Sequence, residues 1–186
     1  MKLFKKIAVF ILAFAMILAI AMPSVVMAED NYTITITPTT SDHTYEAYSI
    51  FEGKLSDSTL SDITWGNGIT EAGKIALLAD YGVADAAGLA KKLSEFATNS
   101  AEIKAFAKKA SKYLQHPTSA KAVGNTATIK VAKAGYYLIK DKDNSLGKNN
   151  DETYTEFILK VVKNQTIAPK SEKPTSEKKV KDTNDT

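Results

Sequence analysis

The chain has 186 residues, with 24 lysines, no arginine, 21 acidic residues, no cysteine and two histidines. The first 28 residues contain three lysines and no acid, so the remainder carries 21 lysines against 21 acids and is close to neutral. Nucleic-acid binding is excluded on this balance, because phosphate contacts need clustered cations and favour guanidinium groups. The lack of cysteine excludes disulfides, thiol nucleophiles and cysteine-ligated zinc.

Residues 1–28 have the pattern of a secretory signal peptide. Three lysines precede an uninterrupted apolar run over residues 7–22, and a Val-Met-Ala sequence ends at Ala28. This pattern predicts export with cleavage after Ala28. An uncleaved membrane anchor is the alternative, but 16 apolar residues are fewer than the roughly 20 that a bilayer-spanning helix needs.

Two strands are predicted next. Residues 32–37 alternate apolar residues with threonine, which is typical of a half-buried strand. Residues 45–51 are apolar on both faces, which favours an interior strand. A turn-rich segment that contains Trp65, the single tryptophan, is predicted over residues 52–68.

The middle of the chain is predicted to be helical. Apolar residues over 103–114 fall on one helical face, with Asn99 as the predicted N-cap and Pro117 as the stop. A second amphipathic helix is predicted around residues 89–96, and a shorter one around residues 75–78. We interpret each apolar stripe as core packing rather than as a ligand groove.

Strand patterns return in the last third of the chain. Residues 126–131 alternate, and residues 136–140 and 154–162 are predicted to pair around the polar loop 141–153. Strands at both ends with helices between them predict a mainly β fold, a β-sandwich with a helical insertion. Residues 168–186 are rich in lysine, acids and proline, so they cannot supply a core of their own.

Conventional catalysis is poorly supported, and we expect neither an enzyme nor a cofactor. His43 and His116 are predicted in a turn and at a helix end, away from a nucleophile, although a Ser/His/Asp site stays open as the alternative. A calcium-loop pattern is matched at four positions, namely Asp141, Asp143, Ser145 and Glu152. Leu146 stands where that loop needs glycine, and the flanks are strands, so we expect a solvated hairpin loop and no metal site.

Several segments together carry a resemblance to a known family. They are, after the signal peptide, TITI over 33–36, HTYEAY over 43–48, LSDITWGNG over 60–68, AGYYLIKD over 134–141 and APK over 168–170. In this order they resemble the N-terminal domain of Gram-positive major pilins, the backbone subunits of fimbriae. The resemblance implies an immunoglobulin-like β-sandwich of the collagen-adhesin B type over residues 29–170. It also implies that residues 171–186 are a linker and the first strand of a truncated second immunoglobulin-like domain.

The resemblance assigns a role to one lysine. In that family a class C sortase cleaves an LPxTG signal, forms a thioester and transfers it to a lysine of the next subunit. Lys170 occupies that lysine's position, and Pro169 before it favours an extended, fairly rigid backbone. The family's pilin motif is only partly matched, with Ile167 in place of a valine and three further departures. Lys163 and Lys173 therefore remain alternative acceptors.

The resemblance also implies amide bonds inside such domains, between a lysine and an asparagine or aspartate beside a buried carboxyl. Burial lowers the pKa of a lysine towards the neutral amine that can attack. Lys178, four residues after Pro174, is the lysine expected to form this bond in the second domain, with Lys179 less favoured because it lies on the other face. The strand over 32–37 has no lysine, so we expect no such bond in the first domain, which should be the least stable part of the full protein.

The resemblance thus implies a structural subunit of a sortase-assembled pilus on the cell wall of a Gram-positive bacterium. The implied partners are identical subunits in a covalent homopolymer, the class C sortase and minor pilins at the tip or base. Attachment to peptidoglycan would follow from an LPxTG signal beyond residue 186. The alternative is a cell-wall-anchored adhesin or minor pilin that binds a host protein or glycan.

Overall fold

The computed structural model describes residues 31–39, 42–98, 100–143 and 156–169. The predicted signal peptide, Lys170 and Lys178 lie outside these ranges. The elements in chain order are β1 (Tyr32–Ile36), β2 (Thr44–Ser56), β3 (Thr59–Trp65), α1 (Glu71–Tyr81), α2 (Ala86–Ser94), α3 (Ala101–Ala110), β4 (Thr118–Lys121), β5 (Ala127–Val131), β6 (Gly135–Asp141), β7 (Glu156–Val161) and β8 (Gln165–Ile167).

The strands form two sheets. The smaller sheet has the order β5-β1-β8, and the larger has the order β3-β2-β6-β7, with β4 paired to the first part of β2. One apolar core lies between the sheets, and a second lies between the larger sheet and the helices. The prediction of a mainly β fold is confirmed, and the two sheets are consistent with a β-sandwich that carries a helical insertion.

Strand alternation builds the core between the sheets. In β1 the side chains of Tyr32, Ile34 and Ile36 are buried, while the threonines between them are half-buried. Ile34 lies opposite Ile129 of the antiparallel neighbour β5, whose inward-facing residues are also buried. Both strands follow the predicted period of two, because successive side chains point to opposite faces of a sheet.

The turn predicted over residues 52–68 is wrong for most of its length. β2 continues to Ser56, and a tight turn at Asp57 and Ser58 leads into β3. Asp57 has a φ of 56°, a left-handed conformation that aspartate tolerates better than most residues. The hairpin was missed because β3 is an edge strand without a buried side chain, so it lacks a clear apolar alternation.

The helices cover the outer face of the larger sheet, and the predicted N-cap of α3 is wrong. Ser100, rather than Asn99, caps this helix, because its side-chain oxygen accepts a hydrogen bond from the amide of Ile103 at 3.3 Å. The helix also ends at Ala110, well before Pro117, and a short 3-10 turn follows it. No helix within the described ranges is both long and apolar enough to cross a membrane.

Candidate functional site

The candidate site is the end of the molecule at which the described chain leaves the domain. β8 runs parallel to β1, with Gln165 beside Ile34 and Ile167 beside Ile36. The pairing continues past β1, because the amide of Thr37 donates to the carbonyl of Ile167 at 2.9 Å. We call the end of the molecule where β1 begins the amino-terminal pole, and the end where β1 and β8 finish the carboxyl-terminal pole. The described chain therefore starts at the amino-terminal pole and ends at the carboxyl-terminal pole.

Hydrogen bonds fix the segment that follows β1 at the carboxyl-terminal pole. The carbonyl of Asn125 accepts from the Thr37 hydroxyl at 3.1 Å and from the Thr39 amide at 2.9 Å. The hydroxyl of Thr126 donates to that of Thr37 at 3.4 Å. The backbone beside Ile167 is thus tied to the turn before β5 as well as to β1.

A buried polar pair lies at the same pole. Nδ1 of His43 lies 2.8 Å from Oδ1 of Asp141, and the two side chains are 10% and 0% exposed. The imidazole stacks on Tyr45 at 5.6 Å between ring centroids, and the Tyr45 hydroxyl lies 2.7 Å from that of Thr39. Because unpaired polar groups are costly to bury, the pair stabilises the junction between the start of β2 and the end of β6.

The candidate acceptor lysines are separated along the chain. Lys163 is exposed and lies in the turn between β7 and β8 at the amino-terminal pole. Beside it, the side-chain oxygen of Asn164 accepts from the amide of Thr33, near the start of β1, at 2.9 Å. Lys170 and Lys173 lie outside the described residues, as does Lys178.

The calcium-loop residues that the structure describes are engaged in other contacts. Asp141 is fully buried against His43, and Asp143 forms an ion pair with Lys140 at 2.8 Å. Ser145, Leu146 and Glu152 lie outside the described residues. Within the ranges that are described, no group of three histidine or carboxylate side chains is close enough to hold a metal ion.

A polar groove of about 460 Å³ lies beside the sandwich. The hydroxyl of Ser49 donates to Glu52 at 3.3 Å, and Glu52 forms an ion pair with Lys133 at 2.7 Å. His116 lines the same groove, but no hydrogen bond joins it to Ser49 in the described structure. The groove therefore contains polar groups that could contact a ligand, without a serine activated by histidine.

Tyr137 lines this groove. Its buried hydroxyl leads us to predict that the protein loses stability in alkaline solution. Its side chain is 4% exposed, and its hydroxyl donates to the carbonyl of Lys133 at 2.7 Å. Burial raises the pKa of Tyr137 from 10.0 to about 12, so the folded state holds this proton more tightly than the unfolded chain does. The resulting stabilisation is complete below pH 10 and is lost as the pH rises through 12, a change of about 2–3 kcal/mol.

Urea unfolding measured at stepped alkaline pH checks this prediction. The Tyr137→Phe variant should show a weaker dependence of unfolding free energy on pH across this range. Part of this pH dependence should persist in the variant, because burial and the hydrogen bond to Glu46 also raise the pKa of Tyr48. An unchanged slope in the variant would show that Tyr137 is not a source of the effect.

Lysine placement predicts that the first domain forms no internal amide bond. No described lysine is buried. Lys140, with a side chain 17% exposed, pairs with Asp143, whose side chain is 79% exposed. The amide bonds expected of this family form beside a buried carboxyl, and the carboxyl beside Lys140 is exposed. The intact mass of a chain that begins at residue 29 should therefore show no loss of ammonia or water within residues 29–170, and such a loss would contradict the prediction.

Comparison with protein-family models gave no match, and neither did comparison with curated proteins. Functional assignment therefore depends on the residues and their geometry. Sequence reasoning missed β8 and the contact between His43 and Asp141. The sequence predicts His43 in a turn, and no local pattern pairs it with a residue 98 positions away.

Proposed function

We propose that this chain is the N-terminal part of a shaft subunit in a covalently assembled pilus on a Gram-positive cell surface. The observation that carries the proposal is the parallel pairing of β1 with β8. A domain in which the chain starts at one pole and leaves at the other suits subunits joined end to end. The proposed fold type is an immunoglobulin-like sandwich of the collagen-adhesin B type, closed by its first and last strands.

Lys170 is the proposed acceptor of the sortase-bound acyl group. Ile167 is held by β1 at the carboxyl-terminal pole, and Lys170 is three residues further along the sequence. Lys163 lies at the opposite pole, beside the start of β1. Lys170 is preferred because it occupies the acceptor position of the pilin motif that the sequence resembles, and Lys163, at the opposite pole from Ile167, is the alternative.

The proposed chemistry is an acyl transfer. The neutral ε-amine of Lys170 attacks the carbonyl of the sortase thioester and an amide forms, while the carbon–sulfur bond breaks and the sortase sulfur leaves as a thiol with the proton that the amine loses. The chain is then a substrate rather than an enzyme. Its proposed partners are identical subunits, a class C sortase and minor pilins, with attachment to peptidoglycan through an LPxTG signal further along the protein. In the second domain, Lys178 is proposed to form an internal amide bond.

A surface adhesin or minor pilin is the second candidate function. The polar groove favours it, because hydroxyl, carboxylate and ammonium groups converge there on a cavity of about 460 Å³. Such a protein would bind a host protein or glycan without forming a homopolymer. Polymerisation therefore distinguishes the two candidates.

Co-expression of the full-length protein with a class C sortase tests the proposal. The expected result is a ladder of oligomers that resist SDS, which collapses to monomer in the Lys170→Ala variant. Lys163→Ala is the matched control, and its ladder should be unchanged. A ladder that survives Lys170→Ala and disappears with Lys163→Ala would place the acceptor at the other pole, whereas a protein that forms no ladder would favour the adhesin.

A further inference from the structure

An apolar cavity of about 230 Å³ lies between the helices and the larger sheet. Its walls include the six apolar side chains of Phe51, Leu93, Phe96, Ile103, Phe106 and Tyr136. Phe96, Ile103 and Tyr136 are only half-buried, so an occupant would remove further apolar surface from water. An apolar cavity of about 150 Å³ is already large enough to bind benzene.

The rim of the cavity carries a cation. Lys160 on β7 lines the cavity, and its ammonium group donates to the carbonyl of Ser58 at 3.0 Å. Within the described residues no carboxylate lies at ion-pair distance from this group. Ser94 and Thr98 also line the cavity and carry hydroxyl groups, as Tyr136 does at the end of its ring. A positive charge beside an apolar cavity favours a ligand with an apolar tail and one negative charge.

From this combination of volume, apolar walls and one cation, we infer that the cavity binds a small amphiphilic carboxylate. The tail lies between Phe51 and Ile103, and the carboxylate accepts a hydrogen bond from Lys160. Charge-assisted hydrogen bonds of this kind are stronger than neutral ones. This inference does not depend on the pilus proposal, because no residue of β1 or β8 lines the cavity among the described residues.

Titration of the purified chain with octanoate, and with the neutral probe 1-octanol, tests the inference. Trp65 is the single tryptophan and stacks on Phe51 at 5.1 Å between ring centroids, so its fluorescence reports occupancy of the cavity. Octanoate should bind saturably and more tightly than octanol. Lys160→Gln should weaken octanoate binding about tenfold, the equivalent of about 1.4 kcal/mol, and should leave octanol binding unchanged.

Two further variants keep the inference falsifiable. Ala90→Leu fills part of the cavity from α2 and should abolish binding of both probes while the thermal midpoint is maintained. Lys130→Gln, which removes an exposed lysine from the other sheet, should change nothing. The inference is overturned by an absence of saturable binding, by octanoate binding that Ala90→Leu leaves intact, or by equal effects of the two lysine substitutions.

Discussion

Replacing Asp141 with alanine is expected to lower the free energy of unfolding by about 2–3 kcal/mol. The carboxylate is fully buried and lies 2.8 Å from Nδ1 of His43. Its removal leaves a buried imidazole without this partner, at the junction of β2 and β6. The loss should therefore exceed the contribution of one ordinary hydrogen bond, which is about 1 kcal/mol.

Urea unfolding of two aspartate variants measures this effect. Asp143→Ala is the matched control, because Asp143 is two residues away, is 79% exposed and pairs with Lys140. An exposed pair contributes at most about 1 kcal/mol. The double variant with His43→Ala should lose less than the sum of the two single variants. Additive losses, or equal losses for the two aspartates, would contradict a stabilising buried pair.

Replacing Phe106 with alanine is expected to cost about 3–5 kcal/mol of unfolding free energy. Phe106 is 1% exposed, and its ring lies 6.1 Å from Phe51 in the sheet and 5.9 Å from Tyr81 in α1. Its loss leaves a void at the point where the helical layer packs on the larger sheet. Because the surrounding side chains relax only partly, the lost transfer free energy and the cavity both add to the cost.

Ile75→Ala on the outer side of α1 is the control for Phe106→Ala. Ile75 is 70% exposed, and substitutions at such positions usually change stability by less than about 0.5 kcal/mol. Circular dichroism of the helices during urea unfolding provides the readout. If the two variants unfold at the same urea concentration, the helical layer does not pack on the sheet through Phe106.

The spacing of apolar residues in the sequence predicted the strands and helices that bury only one of their faces. β1 alternates buried with half-buried positions, β5 alternates buried with exposed positions, and α3 buries one face that includes Phe106. Local patterns of apolar residues are sufficient there, because each residue's environment follows from its position in the element. The mainly β class with inserted helices could be predicted from these elements.

The elements that periodicity missed are stabilised by their neighbours. β4 has no buried residue and pairs with β2. β8 has three residues and pairs only with β1 among the described strands. Its parallel pairing sets the direction in which the chain leaves the domain. No local pattern of side chains specifies which distant strand an edge strand joins, so the geometry of the candidate site could not be predicted.

Identifying the lysine that receives the acyl group is the most direct test of the proposed function. The purified chain would be incubated with a class C sortase and a synthetic LPxTG peptide, digested, and sequenced by tandem mass spectrometry. We predict a single branched peptide with the new amide bond at Lys170. A branch at Lys163 or Lys173 would contradict the proposed acceptor, and an unmodified chain under conditions that acylate a known pilin would contradict the assignment as a shaft subunit.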